Sequence, residues 1–254
     1  GSARGPRLEL DYLKAETLLE HNGIEHSIVV FGSTRIAEPT TARRRLADAE
    51  AALAGDPENG VLKQRVAVAR RVVAKSRYYE VARNLGKLIG AEEGPEGNRL
   101  VVVTGGGPGI MEAANRGAWE AGARTVGLNI TLPHEQFPNP YITPDLCFQF
   151  HYFAMRKLHF MMRARALVVF PGGYGTLDEL FETLTLIQTR KIAPVPVVLV
   201  GEEYWRQVFD PDFLIAEGTI APEDRDLFWY AETAEEIWAD IRHWYRLAGR
   251  PITA

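Results

Sequence analysis

The sequence predicts an α/β fold in which a doubly wound parallel sheet carries helices on both faces. Two observations lead to this prediction. Short, nearly continuous apolar runs rich in valine are typical of strands that are buried on both faces, and longer segments with helical periodicity lie between them. Strands that alternate with helices in this way form right-handed βαβ units, which place the strands in parallel.

The elements follow in order along the chain. The amphipathic stretch "LELDYLKAETLLE" predicts an N-terminal helical extension, and "SIVVFGS" predicts a first strand that ends in a glycine turn. Residues 39–89 are rich in Ala, Arg, Glu and Leu, and their interruption at "GDPENG" predicts two helices inserted after the first strand. Further strands are predicted in "RLVVVTGGG", "TVGLNI", "LCFQF", "ALVVFPGG", "PVPVVLVG" and "LFWYA".

Length and composition restrict the classes of function. The chain has 254 residues, of which 46% are hydrophobic, and we interpret residues 7–254 as a single domain. The stretch "GSARGP" is interpreted as a remnant of the expression vector and is excluded from the fold prediction. A net charge of -4 argues against nucleic acid or an anionic membrane as the partner, and no run is apolar enough for a membrane span. Cys147 is the single cysteine, which favours a reducing, cytoplasmic location.

Three glycine-rich loops follow predicted strands. In a parallel sheet the carboxyl ends of the strands share one edge, where ligands bind. Glycine allows backbone amides to approach a ligand closely, and a helix N-terminus attracts phosphate. The candidate binding residues in these loops are Gly32, Ser33, Gly105, Gly106, Gly107, Gly109, Gly172, Gly173, Tyr174, Gly175 and Thr176. For any one loop, a tight turn without a ligand remains an alternative.

Several familiar sites are excluded by their spacing. No GxxxxGK string followed by Ser or Thr is present, so a P-loop is absent from the sequence. Ile110 stands where a dinucleotide fingerprint needs its last glycine, and Asn129 ends the following strand in place of the ribose-binding acid. His134, His151 and His159 lack the spacing of metal ligands. We therefore expect a phosphorylated small molecule as the ligand, with neither a metal nor a cofactor.

Two separated motifs resemble those of a known family. "PGGYGTLDE" matches PGGxGTxxE, and Arg156 and Lys157 form an "RK" pair fifteen residues before Pro171. With "VVFGS" and "VTGGGPGIMEAANRGA", the region from Ser27 to Lys191 resembles the LONELY GUY (LOG) phosphoribohydrolases. The resemblance implies a Rossmann-like fold, a homodimer or an assembly of dimers, and hydrolysis of the N-glycosidic bond of a purine nucleoside 5'-monophosphate. AMP and cytokinin-type nucleotides are the substrates that it suggests, and the products would be free base and ribose 5-phosphate.

Two departures from the family pattern leave the base open. Phe153 stands three residues before Arg156, where the plant-type motif MxxRK has methionine, and the insertion at residues 39–90 is absent from the short cytokinin-activating members. Members of the family have also been labelled lysine decarboxylases, and the sequence leaves a Schiff base on Lys157 open. A non-catalytic carrier of a nucleotide or of the molybdenum cofactor is the main alternative to an enzyme.

The resemblance assigns catalysis to Arg156 and Glu179. Glu179 lies one helical turn after Thr176, where its carboxylate could hold the ribose hydroxyls or a water molecule. The same Thr-x-x-Glu spacing is also that of a helix capping box, and both roles can coexist. Arg156 could donate to the base or the phosphate as a planar fork, while Lys157 supports the site.

Other residues on the same two helices have weaker assignments. Met155 could flank a purine together with Tyr152 and Phe153, although core packing explains such side chains more often. Thr185, nine residues after Thr176, matches a threonine that lies near the site in the family.

Overall fold

The computed structural model describes residues 3–92, 100–131 and 137–253. It contains a seven-stranded sheet in which every strand pair is parallel, as the sequence predicts. The strands are β1 (Ser27–Phe31), β2 (Val101–Thr104), β3 (Thr125–Ile130), β4 (Cys147–Phe150), β5 (Ala164–Val169), β6 (Val197–Val200) and β7 (Trp229–Ala231).

The α-helices are α1 (Arg4–His21), α2 (Pro39–Gly55), α3 (Gly60–Lys75), α4 (Arg77–Gly90), α5 (Ile110–Glu120), α6 (Phe153–Met162), α7 (Tyr174–Gln188), α8 (Glu202–Val208), α9 (Pro211–Ala216) and α10 (Ala234–Leu247). Short 3₁₀ helices span Pro144–Leu146 and Pro222–Leu227. The first helix begins at Arg4, inside the stretch that the sequence analysis set aside.

The prediction of two helices in the insertion was wrong, because three helices occupy residues 39–90. The break at "GDPENG" is present, and the side chain of Asn59 caps α3 there by accepting from two backbone amides. A second break falls at Ser76, whose hydroxyl donates to the carbonyl of Val73. Hydroxyls that bond to the backbone compete with the helical hydrogen bonds, which permits the change of direction into α4.

Helices cover both faces of the sheet, and alternate strand residues supply the two cores. On β1, Ile28 and Val30 pack with helices α4, α5 and α10, whereas Val29 and Phe31 pack with α1, α6, α7 and α8. All four side chains are buried, and each contributes about 1.5–3 kcal/mol by leaving water. The valine-rich runs therefore arise from burial on two sides.

The strand order β4-β3-β2-β1-β5-β6-β7 reverses direction between β1 and β5. The chain winds one way from β1 to β4 and the other way from β5 to β7, so the loops after β1 and β5 separate at the carboxyl edge and leave a crevice. The backbone amide of Ser33, after β1, donates to the carbonyl of Pro171, after β5, at 3.0 Å and so links the two loops. This crevice is where the fold favours a ligand.

The turn into α5 requires glycine at position 109. Gly109 has φ +74°, and a Cβ built there would collide with the carbonyl oxygen of Ser33. We expect Gly109→Ala to destabilise the protein by about 1–3 kcal/mol more than Gly122→Ala, because it adds a backbone collision to the conformational strain. Gly122 is a matched control, with φ +75° and open space around its Cβ position. Urea unfolding of both variants is the measurement, and equal losses would contradict the packing argument.

Candidate functional site

A cleft of about 640 Å³ opens at the carboxyl edge of the sheet, where the strand order reverses. It is bordered by the loops that follow β1, β2 and β5, and by the first turns of α6 and α7. The residues that line it are Phe31, Gly32, Ser33, Thr34, Arg35, Gly105, Gly107, Met111, Asn129, Ile130, Phe153, Arg156, Gly173, Gly175, Thr176 and Glu179. Residues from all three glycine loops thus meet in one cavity, although their positions in the chain span about 140 residues.

The cleft lining contains part of the predicted set. Gly32, Ser33, Gly105, Gly107, Gly173, Gly175, Thr176, Arg156 and Glu179 border it. Gly106, Gly109 and Gly172 lie behind it, where Cβ atoms would meet Asn129, the Ser33 carbonyl and Thr176 respectively. Close packing at these three positions requires glycine and shapes the loops, and their contact with a ligand stays a prediction.

Four further predicted residues do not line the cleft. Tyr174 begins α7 but is 92% exposed, and Met155 packs into the core beneath α6. Thr185 lies exposed on α7, where its hydroxyl donates to the carbonyl of Phe181. Lys157 turns toward α7. That these residues contact a ligand stays a prediction. Met155 and Lys157 differ in direction from Arg156 because consecutive helical residues project about 100° apart.

Arg156 is held rigidly at the base of the cleft. Its Nε donates to the carbonyl of Leu128 at 2.7 Å, and its guanidinium lies 5.2 Å from the centre of the Phe160 ring. A Cβ on Gly105 would approach the guanidinium to 2.5 Å, so glycine leaves the space that Arg156 occupies. Burial lowers the pKa of Arg156 while Glu179 acts in the opposite direction, and a guanidinium stays charged throughout the physiological range.

Glu179 is the carboxyl group that lines the cleft. It lies on α7, its residue is only 6% exposed, and its side chain forms no hydrogen bond with any residue that the structure describes. Burial raises its pKa to about 7, although Lys157 and Arg156 act in the opposite direction. A carboxyl with this pKa changes its protonation near neutral pH, which is the property required of a catalytic acid or base.

The capping interpretation of the Thr176–Glu179 pair was wrong. Helix α7 begins at Tyr174 with Gly173 at the N-cap, and no side chain caps it. Thr176 is already within the first turn, so Glu179 is not the residue that a capping box would place opposite the cap. The carboxylate is therefore left to face the cleft.

Lys157 forms ion pairs with two carboxylates on α7. Its Nζ lies 2.8 Å from Asp178 Oδ2 and 2.6 Å from Glu182 Oε2. Burial lowers the pKa of Lys157, but the hydrogen bonds that its ammonium donates to these two carboxylates outweigh burial and raise the pKa. An amine that forms a Schiff base needs the opposite shift and access to the ligand. The structure thus argues against Lys157 as an imine-forming residue.

Part of the cleft lining was not among the predicted site residues. Thr34 and Arg35 follow the first glycine turn directly, and Met111 follows the second loop by two residues, so their places in the chain were a usable signal. Phe153, weighed mainly as a core residue, faces the cleft with half of its surface exposed. Ile130 and Asn129 end β3, the strand next to the second glycine loop.

The proline-rich segment 131–145 supports the second glycine loop. Residues 132–136, which include His134, lie outside the described residues. Beyond them, the amide of Asn139 donates to the carbonyl of Gly106 at 2.8 Å, and its side chain donates to the carbonyl of Gly107 at 3.1 Å. This part of the segment supports the cleft from behind.

The raised pKa of Glu179 predicts a pH-dependent stability difference. The carboxyl has an ordinary pKa of 4.5 when unfolded and about 7 when folded, so its contribution is fully present below pH 4.5 and is lost as the pH rises through 7. Glutamine does not titrate. We expect the free energy of unfolding of Glu179→Gln, relative to that of the wild type, to rise by about 2–3 kcal/mol as the pH increases from 5 to 8. Urea unfolding of both proteins at each pH measures this, and a pH-independent difference would refute the assigned pKa.

Fold and cleft together define a class: a Rossmann-like α/β protein with a ligand cleft at the reversal of strand order and a buried arginine and glutamate on its wall. Residues 111–241, just over half of the chain, match the family model described as "Possible lysine decarboxylase". The chain belongs to this family, the LONELY GUY family whose motifs it carries.

The chain is similar to a named relative and to two solved structures. The Cytokinin riboside 5'-monophosphate phosphoribohydrolase LOG of Oryza sativa subsp. japonica is 30% identical over 170 residues, which are 64% of this chain and 65% of the relative. The chain thus covers slightly less than two thirds of that protein. The solved structure of TM1055, a Northeast Structural Genomics Consortium target, shares the fold with a TM-score of 0.51 and 20% identity, over 86% of this chain and 99% of the other. A molybdenum cofactor binding protein from Rippkaea orientalis has a TM-score of 0.46 and 20% identity, over 85% and 94%.

The described helices differ from membrane-spanning helices. Within the described ranges, none combines the length and the apolar character that crossing a bilayer requires.

Proposed function

We propose that this chain hydrolyses the N-glycosidic bond of a purine nucleoside 5'-monophosphate and releases free base and ribose 5-phosphate. The observation that carries the proposal is the arrangement of the cleft. Arg156 and Glu179, far apart in sequence, line one cavity that three glycine loops border. The phosphoribohydrolase activity named for the rice relative is the second support.

The 5'-phosphate is proposed to bind at the start of α7. Gly173, Gly175 and Thr176 line the cleft at this end of the helix. The amides of the first turn of a helix lack acceptors within the helix, and the helix dipole adds a partial positive charge. Arg35, which also lines the cleft, supplies a further cation. Phosphate is the ligand group that this combination favours.

The glycosidic bond is proposed to break with help from both charged groups. Cleavage creates positive charge on the ribose, which an ionised Glu179 would stabilise while holding a ribose hydroxyl or the attacking water. Arg156 would donate to the departing base, whose developing negative charge it stabilises. Because Nε already bonds to Leu128, the terminal nitrogens of Arg156 are the donors available to the ligand.

The base is proposed to lie against apolar side chains. Met111, Ile130 and Phe153 line the cleft together with Asn129, which is buried near the end of β3. An aromatic ring and a thioether suit the flat face of a purine. The plant-type motif has methionine where this chain has Phe153, so we propose that the base accepted here differs from that of the plant enzymes or includes unmodified adenine.

A substrate panel tests the proposal. The protein is incubated with AMP, GMP and isopentenyladenosine monophosphate, and free base and ribose 5-phosphate are measured by chromatography. Adenosine is the control, because it lacks the phosphate that the α7 end is expected to bind. Release of base from at least one monophosphate is expected, and none from adenosine. Tight binding without release would instead support the nucleotide or molybdenum cofactor carrier.

We further propose that residues 7–254 act as one cytoplasmic domain and assemble as a homodimer. Support for assembly comes from the family resemblance and from a groove of about 740 Å³ between α6 and α7. Leu158, Met162 and Phe181 expose 43%, 41% and 39% of their surfaces on these helices. We expect a dimer mass by light scattering and a monomer for Leu158→Glu, since a charge is costly in an apolar interface. A wild-type monomer at working concentration would contradict this.

A further inference from the structure

Helix α6, which carries Arg156, lacks a capping side chain of its own. Its N-cap residue is Tyr152, and no side chain near it in sequence accepts from the first turn. A carboxylate from α1 binds the two residues that precede the helix. The Oδ2 atom of Asp11 accepts from the backbone amides of His151 and Tyr152, both at 3.0 Å. A carboxylate at this end of a helix both satisfies free amides and complements the dipole.

Tyr152, whose amide Asp11 binds, is also hydrogen-bonded to Arg156. The carbonyl of Tyr152 accepts from the backbone amide of Arg156 at 3.3 Å. The side chain of Arg156 is then fixed by its bond to the carbonyl of Leu128. A continuous set of hydrogen bonds therefore runs from α1, through the first turn of α6, to the guanidinium in the cleft.

The same helix also holds the other end of α6. Arg163, which follows α6, forms a two-pronged ion pair with Glu16 of α1, with distances of 2.9 and 2.7 Å. Its Nε donates to the carbonyl of Ile24 at 2.8 Å. Hydrogen bonding to Arg163 keeps the pKa of Glu16 below its ordinary value, so the pair is charged at neutral pH. With both ends attached to α1, α6 has little freedom to shift along or away from the sheet.

We propose that Asp11 is a positioning residue for Arg156, so that α1 sets the geometry of the cleft without touching the ligand. The inference rests on the proposed function for its kinetic consequence. It concerns a helix outside residues 111–241, the region that the family model matches. Asp11 does not line the cleft, whereas Phe153 and Arg156, which follow its anchor point, do.

The test compares Asp11→Ala with Glu9→Ala. Glu9 is an exposed acid on the same helix, so its replacement removes an equal charge without touching α6. We expect Asp11→Ala to lower kcat roughly ten- to a hundredfold, because small misplacements of a catalytic group have effects of this size. KM should change less than kcat. Asp11→Asn, which keeps an acceptor oxygen, should recover most of the activity, and Glu9→Ala should match the wild type.

Two further measurements distinguish positioning from a general loss of structure. In an Arg156→Ala background, adding Asp11→Ala should lower kcat no further, because coupled residues are not additive. Hydrogen exchange at the amides of 151–156 should accelerate in Asp11→Ala and not in Glu9→Ala. An active wild type with unchanged kcat in Asp11→Ala, or an additive double variant, would overturn the inference. If Asp11→Ala does not fold, Asp11→Ser, whose shorter side chain withdraws the acceptor from residues 151 and 152, is tested in the same two backgrounds with the same expected loss.

The exchange measurement separates the two proposals. An inactive wild type on every nucleotide would refute the proposed function alone. Exchange at 151–156 that stays as slow in Asp11→Ala as in the wild type would refute the role of Asp11, whatever the activity.

Discussion

Glu179→Gln is expected to lower kcat by about 10²- to 10⁴-fold, the range for loss of a positioned acid or base. The substitution keeps the size of the side chain but removes the negative charge that would face the ribose. Binding of the 5'-monophosphate should change little, because the proposed phosphate site lies at the first turn of α7. Steady-state kinetics with the best nucleotide of the panel, together with calorimetric binding, measure the two effects.

Glu182→Gln is the matched control for this prediction. Glu182 lies one turn further along α7, is partly exposed, and pairs with Lys157 outside the cleft. Its replacement should change kcat less than tenfold, since surface ion pairs contribute about 0–1 kcal/mol. A large loss in Glu182→Gln with none in Glu179→Gln would reverse the assignment. A variant at Glu179 that is both more stable at pH 8 and inactive would show that burial of this carboxyl serves catalysis at the expense of stability.

Arg156→Lys is expected to lower kcat/KM by about 10²- to 10³-fold, close to the loss in Arg156→Ala. Lysine retains the charge, but a single ammonium cannot bond to the carbonyl of Leu128 and also present two nitrogens to the ligand. The hydrogen bond to Leu128, at 2.7 Å, is the geometric constraint. Comparing kcat/KM of Arg156→Lys with that of Arg156→Ala therefore tests the geometry of the side chain rather than its charge.

Lys157→Met is the control for the arginine variants. It removes the adjacent cation from the same helix, but this cation is directed at Asp178 and Glu182. Activity within tenfold of the wild type is expected. Full activity in Arg156→Lys would show that charge alone suffices. A large loss of activity in Lys157→Met would show that Lys157 has a role in the site.

The fold was predictable because its signals are local. Runs such as "VVVT" and "ALVV" are buried on both faces, so hydrophobicity alone marks them as strands, and glycines mark their carboxyl ends. The break at Ser76 was missed because a single serine between two helical segments carries no glycine or proline signal. Its effect depends on the packing of α4 against α5, which the residues nearby do not encode.

Predicting the site was harder, because helix direction decides which residues reach the cleft. Arg156 and Glu179 lie on its wall, whereas Met155 and Lys157, the neighbours of Arg156, point to the core and to α7. Thr176 was misread as a cap because the N-cap of α7 is Gly173, three residues earlier than the pattern indicated. The catalytic roles of Arg156 and Glu179 remain predictions.

The sequence by itself determined the parallel sheet, the places of its glycine loops and the family to which the chain belongs, because these follow from local hydrophobicity, backbone freedom and motif spacing. Tertiary structure alone decided which residues of the loops at Gly32 and Gly173 line the cleft, and that the cleft lies where the strand order reverses between β1 and β5. It also decided the pKa of about 7 at Glu179 and the hold of Asp11 on α6. Both depend on burial and on contacts between distant segments, which a linear pattern does not contain.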